Sequence, residues 1–275
     1  MSNSFQDFIR SHGFEPKPEI FAGKFIRFGR NNSVSAKLFD DGLAGYLHDW
    51  RTGEKYFWFA NQNDSSSADY AKRKAQSEGL KEVHDAKRKF AYAQASKRAE
   101  ELFSRASEAF VSHPYLIRKQ VGAYGLRAIE DSLLIPVYSV LGDIQTIQFI
   151  DTEGNKKFLK GGQMQAGCHF IGEIREGKPI YIAEGYATAA SVYEDTQCLT
   201  IVAFNAGNLI NVASALREQL PNVQIVIAGD SDSVGKAYAE KASAAVNGSI
   251  LIPDFGQNTE GYTDWNDYFT KGARA

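Results

Sequence analysis

The chain has 275 residues, 43% apolar and 23% charged, which is enough to bury a core and excludes disordered and collagen-like classes. Its net charge of −2 hides an asymmetry: residues 71–130 carry 13 basic and 7 acidic side chains, whereas residues 171–275 carry 7 and 13. Two cysteines, Cys168 and Cys198, cannot build a disulfide framework or a four-cysteine zinc ribbon, so no zinc is expected and a reducing compartment fits. With no basic-then-apolar leader and no long apolar run, the expectation is a cytoplasmic protein without a membrane partner.

From the N-terminus, four short runs rich in aromatic and β-branched residues, beginning at Lys24, Ser35, Gly45 and Lys55, are punctuated by Asp41-Gly42 and Thr52-Gly53. They predict a small antiparallel module over 1–62. A polar tract at 63–69 then opens a segment rich in Ala, Lys, Arg and Glu, expected to be helical from about Ser67 to Phe110, so that 63–110 forms a basic helical connector. Phe90, Leu102, Phe103, Ala106 and Phe110 would share its apolar stripe. Its lysines and arginines are individually ordinary solvated residues, but their excess is the footprint of a polyanionic partner.

Residues 111–176 read as a mixed α+β subdomain around a β-meander: a strand from Leu133, a Gly142-Asp143 turn, Ile144 to Ile150, a Glu153-Gly154 turn, and Lys157-Phe158-Leu159. From 177 to 275 strands and helices alternate, with strands at Ile180, Thr200, Gln224 and Ser249 separated by helices at about Ala187–Asp195, Leu209–Gln219 and Val234–Val246. Strict alternation predicts a parallel sheet with crossover helices, and ligands of such sheets bind beyond the carboxyl ends of the strands.

Two of those ends carry chemistry. The first strand runs into Glu184-Gly185, and the third into Gly229-Asp230-Ser231-Asp232, whose carboxylates at i and i+2 share a side of an extended segment. Taken singly, a glutamate after a strand is usually a solvated loop residue and Asp-Ser-Asp is usually a helix cap. Together they suggest a divalent cation, because converging carboxylates repel unless an ion lies between them, and oxygen ligands without His or Cys favour Mg²⁺ or Mn²⁺. Gly229 to Lys236 misses the P-loop spacing, since five residues separate its two glycines.

Glu184-Gly185, then Gly229-Asp230-Ser231-Asp232 with Gly235 opening a helix, resemble the Toprim domain shared by bacterial-type primases, topoisomerases and several nucleases. The flanking His113-Pro114-Tyr115-Leu116, Gly125-Leu126-Arg127, Leu134 to Val137, Lys157-Phe158-Leu159 and Gly172 resemble the polymerase core of bacterial-type primases of phages and mobile elements. The tail, Thr263-Asp264-Trp265-Asn266-Asp267, is similar to the terminal acidic motif of that core.

The resemblance implies α+β N-terminal parts followed by an α/β Toprim domain, and a nucleotidyltransferase that makes short RNA primers on single-stranded DNA from ribonucleoside triphosphates in phage, plasmid or mobile-element replication. In it Glu184, Asp230 and Asp232 are catalytic, and together with Asp264 and Asp267 hold metal. Glu184 is either a ligand or a general base on the attacking hydroxyl. Arg118, Lys119, Arg127, Lys157 and Lys160 are candidates for binding template or nucleotide, and a replicative helicase is a candidate partner. Tyr115, Tyr124 and His113 are better read as packing residues than as base-stacking ones.

Two departures stand out: the N-terminal module lacks zinc ligands, and Thr188 occupies the place of an acid four residues after Glu184. A Toprim nuclease and a non-catalytic single-stranded-DNA-binding accessory protein are the alternative readings.

Overall fold

The computed structural model describes residues 4–16, 19–60, 67–256 and 261–271, with backbone alone for 67–84. Of the expected linker at 63–69, residues 63–66 lie outside the described residues. The chain divides into two compact units, Met1–Val83 and His84–Ala275.

In the first unit a short helix, α1 (Phe5–Ser11), precedes a four-stranded antiparallel meander of β1 (Phe25–Phe28), β2 (Val34–Leu38), β3 (Ala44–Asp49) and β4 (Lys55–Phe59). Strand alternation sends Phe28, Val34, Ala36 and Leu47 to one face, where they pack with Phe5 and Ile9 of α1. A capping box starts that helix, Ser4 accepting from the Asp7 N–H while the Asp7 carboxylate accepts from the Ser4 N–H.

Helix α2 (Ser67–Arg105) crosses from the first unit into the second. It stops short of the expected Phe110 because Ser107–Glu108 forms β5, which pairs antiparallel with β6 (Arg127–Ile129). The expected stripe is also corrected: Phe90 and Phe110 are exposed, whereas Ala95 and Ala99 are fully buried and Ala99 packs with Leu102, Phe103, Leu134 and Ile147. Leu102, Phe103 and Ala106 of the expected stripe do pack on the sheet, joined by alanines whose small side chains let the helix approach it closely.

That sheet continues through β7 (Ser132–Tyr138), β8 (Ile144–Ile150) and β9 (Lys156–Phe158), in the order β5-β6-β7-β8-β9, with the short helix α3 (Pro114–Lys119) inserted before β6. Leu134 and Ile147 face α2, while Leu133, Ile135 and Ile150 face the opposite way into a core shared with the last domain. The last domain is a second five-stranded sheet made of β10 (His169–Ile171), β11 (Ile180–Ala183), β12 (Thr200–Val202), β13 (Ile225–Ala228) and β14 (Ser249–Leu251), in the order β10-β12-β11-β13-β14.

All neighbours in this second sheet are parallel except the edge strand β10, which pairs antiparallel with β12. Crossovers are made by α4 (Tyr186–Thr196), α5 (Leu209–Gln219) and α6 (Ser233–Val246), and α7 (Trp265–Thr270) packs on α4. Ile180, Ile182, Ile225 and Ile227 are at most 1% exposed. Each such side chain contributes roughly 1.5–3 kcal/mol relative to leaving it in water. The expected alternation from 177 onward is therefore present, completed by the edge strand and the terminal helix. Among the described residues no helix is long and apolar enough to cross a membrane.

Candidate active site

Pairing places Ala183 of β11 opposite Ala228 of β13, so Glu184 and Gly229-Asp230 leave the sheet side by side at its carboxyl edge. Gly229 is required there: a Cβ would lie 2.7 Å from Ala239 Cβ and 2.9 Å from Ile252 Cδ1. Gly235 is required by the site itself, since its Cβ would stand 2.8 Å from Asp230 Cβ and 2.9 Å from the Asp230 carbonyl oxygen. These two approaches hold the start of α6 against Asp230.

Asp232 is the N-cap of α6, accepting the Gly235 N–H at 2.7 Å, and Asp264 is the N-cap of α7, accepting the Asp267 N–H at 2.8 Å. The helix-cap reading of Asp-Ser-Asp thus holds for Asp232, and the same residue also belongs to the acidic neighbourhood. The Ser231 N–H donates to the Thr263 carbonyl at 2.7 Å, tying the β13–α6 loop to the segment that carries Asp264 and Asp267.

Asp230 is the centre of this group. Burial, then Glu184, Asp264, Asp232 and Asp267, push its carboxyl from the ordinary 3.8 up to about 7. Its Oδ1 is buried with no hydrogen-bond partner. Glu184 is also raised, by burial first, opposed by Lys156 and the Ala206 N–H and reinforced by Asp232. All five expected acids therefore share one electrostatic neighbourhood. They do not form a ready-made cage: among the described residues no three His, Cys, Asp or Glu side chains are grouped closely enough to hold an ion. The unpartnered Oδ1, surrounded by hard oxygen donors, still fits a cation that keeps most of its water shell.

The basic candidates separate. Lys119 lies close enough to Lys156 to lower its pKa. Arg118 donates to the Thr152 carbonyl at 2.7 Å, and Arg127 donates to the carbonyls of Phe103 at 2.7 Å and Ser104 at 3.2 Å, closing the end of α2. Lys157 pairs with Phe149 in register and so shares the α2 side of its sheet, while the Lys160 carbonyl accepts from Arg98 at 3.0 Å.

The lysine that reaches the acids is Lys156. It pairs with Ile150, on the face turned toward the parallel sheet, and Glu184, Asp264 and Asp230 act on its ammonium electrostatically without an ion pair to any of them. Crowding by surrounding atoms, then Lys119, lowers its pKa, opposed by those three carboxylates. Alternation along Lys156-Lys157-Phe158 implies that the two lysines face opposite ways, but only the pairing with Ile150 tells which of them faces inward.

Phe204, just beyond β12, was not singled out either. It has φ +69°, a conformation costly for a side chain of that size, and meets Phe158 edge-on at 5.8 Å.

Polar contacts, buried at Asn266 and exposed at Glu194, join the subdomains. Asn266, 1% exposed, donates to the Lys119 carbonyl at 2.6 Å and to Ser191 Oγ at 2.9 Å. Glu194 accepts from the Gly122 N–H at 2.9 Å and the Tyr124 hydroxyl at 3.0 Å. Tyr115 is 3% exposed and packs in the core, in line with its reading as a packing residue, whereas His113 serves as the cap of α3, its ring nitrogen accepting from the Tyr115 N–H. Thr188 is buried in α4, so no carboxylate stands at its position.

Residues 179–275 match the Toprim domain family. Over 242 residues the chain is 32% identical to an Escherichia coli DNA primase, TraC, covering 81% of this chain and 22% of that protein. The chain thus spans about a fifth of that relative's length. Among solved structures, the primase fragment of the bacteriophage T7 primase-helicase covers 62% of this chain and 72% of its own at 16% identity and a TM-score of 0.43. The DnaG catalytic core covers 66% and 76% at 11% identity and 0.44.

Proposed function

We propose, from the premise that residues 179–275 form a Toprim domain, that this chain is the primer-synthesising part of a plasmid- or phage-type DNA primase. It would join ribonucleoside triphosphates into short RNA on a single-stranded DNA template. The observation that carries this reading is the gathering of Glu184, Asp264, Asp232 and Asp267 around Asp230, whose buried Oδ1 has no partner, at the carboxyl edge of a parallel sheet.

Asp230, Asp232 and Glu184, helped by Asp264 and Asp267, would hold Mg²⁺ or Mn²⁺. A divalent ion bound there supplies charge neutralisation for a triphosphate and its leaving pyrophosphate. Glu184, raised by burial, is the group suited to receive a proton from the attacking 3′-hydroxyl. Lys156 favours the ionised form of Glu184 and would add positive charge where nucleotide phosphates enter. Lys119, Arg118, Lys157 and Lys160 supply charge for template phosphates, and Arg127 adds to that field although it also closes α2. In this reading 1–62 is a metal-free counterpart of a zinc ribbon, 63–110 a connector, 111–176 the first subdomain of the core and 177–275 its catalytic domain. A replicative helicase is a fitting partner.

The test is incubation of the chain with single-stranded template, labelled ribonucleotides and Mg²⁺ or Mn²⁺, with products resolved by size. Short RNA that disappears in Asp230→Asn and Asp232→Asn is expected. Shortening of labelled DNA without incorporation would replace the reading with a nuclease. Binding without turnover would replace it with an accessory protein.

A further inference from the structure

Asp230 Oδ1 is not alone among the described residues in being a buried side-chain oxygen without a hydrogen-bond partner: the hydroxyl of Tyr115 is another. Tyr115 lies on the first turn of α3, where its N–H donates to the His113 ring nitrogen at 3.2 Å. Its ring belongs to the buried cluster that includes Ala187 and Trp265, the residue after Asp264. The neighbours of its hydroxyl are Asp264, Arg118 and the Ala187 N–H. Of these, Arg118 is already committed to the Thr152 carbonyl.

Packing explains the ring and leaves the oxygen unexplained. A phenylalanine would fill the same space, and a hydroxyl shut away from water without a partner lowers stability. Burial, then Asp264, push the phenol up to about 12, so the proton stays on the oxygen at any working pH and the group is a donor there. Closed to solvent, it does not meet substrate. Whatever it does, it does through a neighbour.

Two of those neighbours are helix starts that carry the acids. Ala187 is on the first turn of α4, which follows Glu184 and whose N-cap, Gly185, has no side chain to meet the unpaired amides. Asp264 is the N-cap of α7: its Oδ1 accepts the Asp267 N–H, which leaves the direction of Oδ2 to be set from outside that helix. Carboxylates that ligate ions are in turn held by hydrogen bonds from the surrounding protein. Asp264 neighbours both orphaned oxygens, Tyr115 Oη and Asp230 Oδ1, so the two mark one incomplete site.

We infer that Tyr115 is a positioning residue for the cation site: its hydroxyl accepts from the Ala187 N–H and donates to the Asp264 carboxylate when an ion draws that carboxylate in, fixing Asp264 against the turn that carries Glu184. The inference rests on the cation-binding part of the proposed function. It assigns Tyr115 no part in the chemistry itself.

The experiment titrates the full chain with Mn²⁺ alone, free ion being read by electron paramagnetic resonance, and measures denaturant unfolding in EDTA. Tyr115→Phe keeps the ring and should unfold at the wild-type midpoint or above it. Its Mn²⁺ affinity should fall by roughly 10- to 100-fold, the usual loss when a partner of a metal ligand is removed. RNA synthesis should fall at limiting Mn²⁺ and recover at saturating Mn²⁺, so that the apparent metal constant moves and kcat does not. Because the hydroxyl acts through Asp264, the same substitution in an Asp264→Asn chain should change Mn²⁺ affinity by less than about twofold.

Unchanged Mn²⁺ affinity in Tyr115→Phe would overturn the inference, as would an equal loss in the Asp264→Asn background. A lower midpoint in EDTA would also overturn it, by showing that the hydroxyl is a structural partner in the ion-free fold. The two readings fail separately. A chain that makes no RNA but loses Mn²⁺ affinity in Tyr115→Phe defeats only primer synthesis, and one that makes RNA while the variant binds Mn²⁺ as wild type does defeats only the role of Tyr115.

Discussion

Replacing Asp230 with asparagine should stabilise the metal-free protein while abolishing its chemistry. The rise of the Asp230 carboxyl from 3.8 to about 7 means that the folded chain resists ionising it. At about 1.4 kcal/mol per tenfold change, that rise amounts to roughly 4 kcal/mol against the ionised folded form, and solvent at the mouth of the site reduces this to about 2 kcal/mol.

The sign follows from proton counting. Between the two values the folded state holds the proton more tightly than the unfolded state, so wild-type stability falls as pH rises from about 4 to about 7 and levels off above. An asparagine side chain in its place carries no charge at any pH. The stabilisation in Asp230→Asn should therefore be absent near pH 4, grow through neutrality and reach its full size by pH 8. Denaturant unfolding in EDTA at a series of pH values reads this directly. Adding Mg²⁺ should raise the wild-type midpoint and leave the variant's nearly unmoved. A variant no more stable than wild type at pH 8, or a gain of the same size at pH 4, would refute the argument that desolvation and neighbouring carboxylates dominate this site.

Three further substitutions probe its supports. Gly235→Ala gains helix propensity but forces a Cβ to within 2.8 Å of Asp230 Cβ, so a net loss of about 1–3 kcal/mol and of activity is expected, seen as a lower denaturant midpoint; a neutral variant would contradict the close approach. Asn266→Ala leaves the Lys119 carbonyl and Ser191 without their donor and should cost about 1–3 kcal/mol, again read from the unfolding midpoint. Lys156→Met removes the cation that restrains the Glu184 pKa, so the acidic limb of the pH–rate profile should move to higher pH and turnover at neutrality should fall by about tenfold, the order of 1.4 kcal/mol. An unmoved limb would remove Lys156 from the site.

What the sequence disclosed and what it withheld follow from the ranges of the forces involved. The alternation from Ile180 onward was legible because each strand is a continuous apolar run, and Glu184 and Asp230 were legible because they terminate two such runs. β10 was not legible: three residues between Gly167 and Gly172 carry too little periodicity, and their pairing depends on β12, some thirty positions away.

The buried face of α2 was legible in part: Leu102, Phe103 and Ala106 pack on the sheet, whereas Ala95 and Ala99, selected by close packing, were missed because apolar size was taken as the signal. Helix α1 was passed over although Ser4 and Asp7 have capping-box spacing. Lys156 was overlooked in favour of Lys157 because a run of two lysines reveals which faces inward only after its register with Ile150 is known.

The bond from Ser231 to Thr263 and the two bonds made by Asn266 have a temporal consequence. Asn266 reaches back to Lys119 across 147 positions, so neither the docking of α7 nor the placement of Asp264 and Asp267 is possible while those residues are still being synthesised. The acidic neighbourhood therefore cannot assemble piecemeal: it is complete only once α7 has closed on the earlier subdomain.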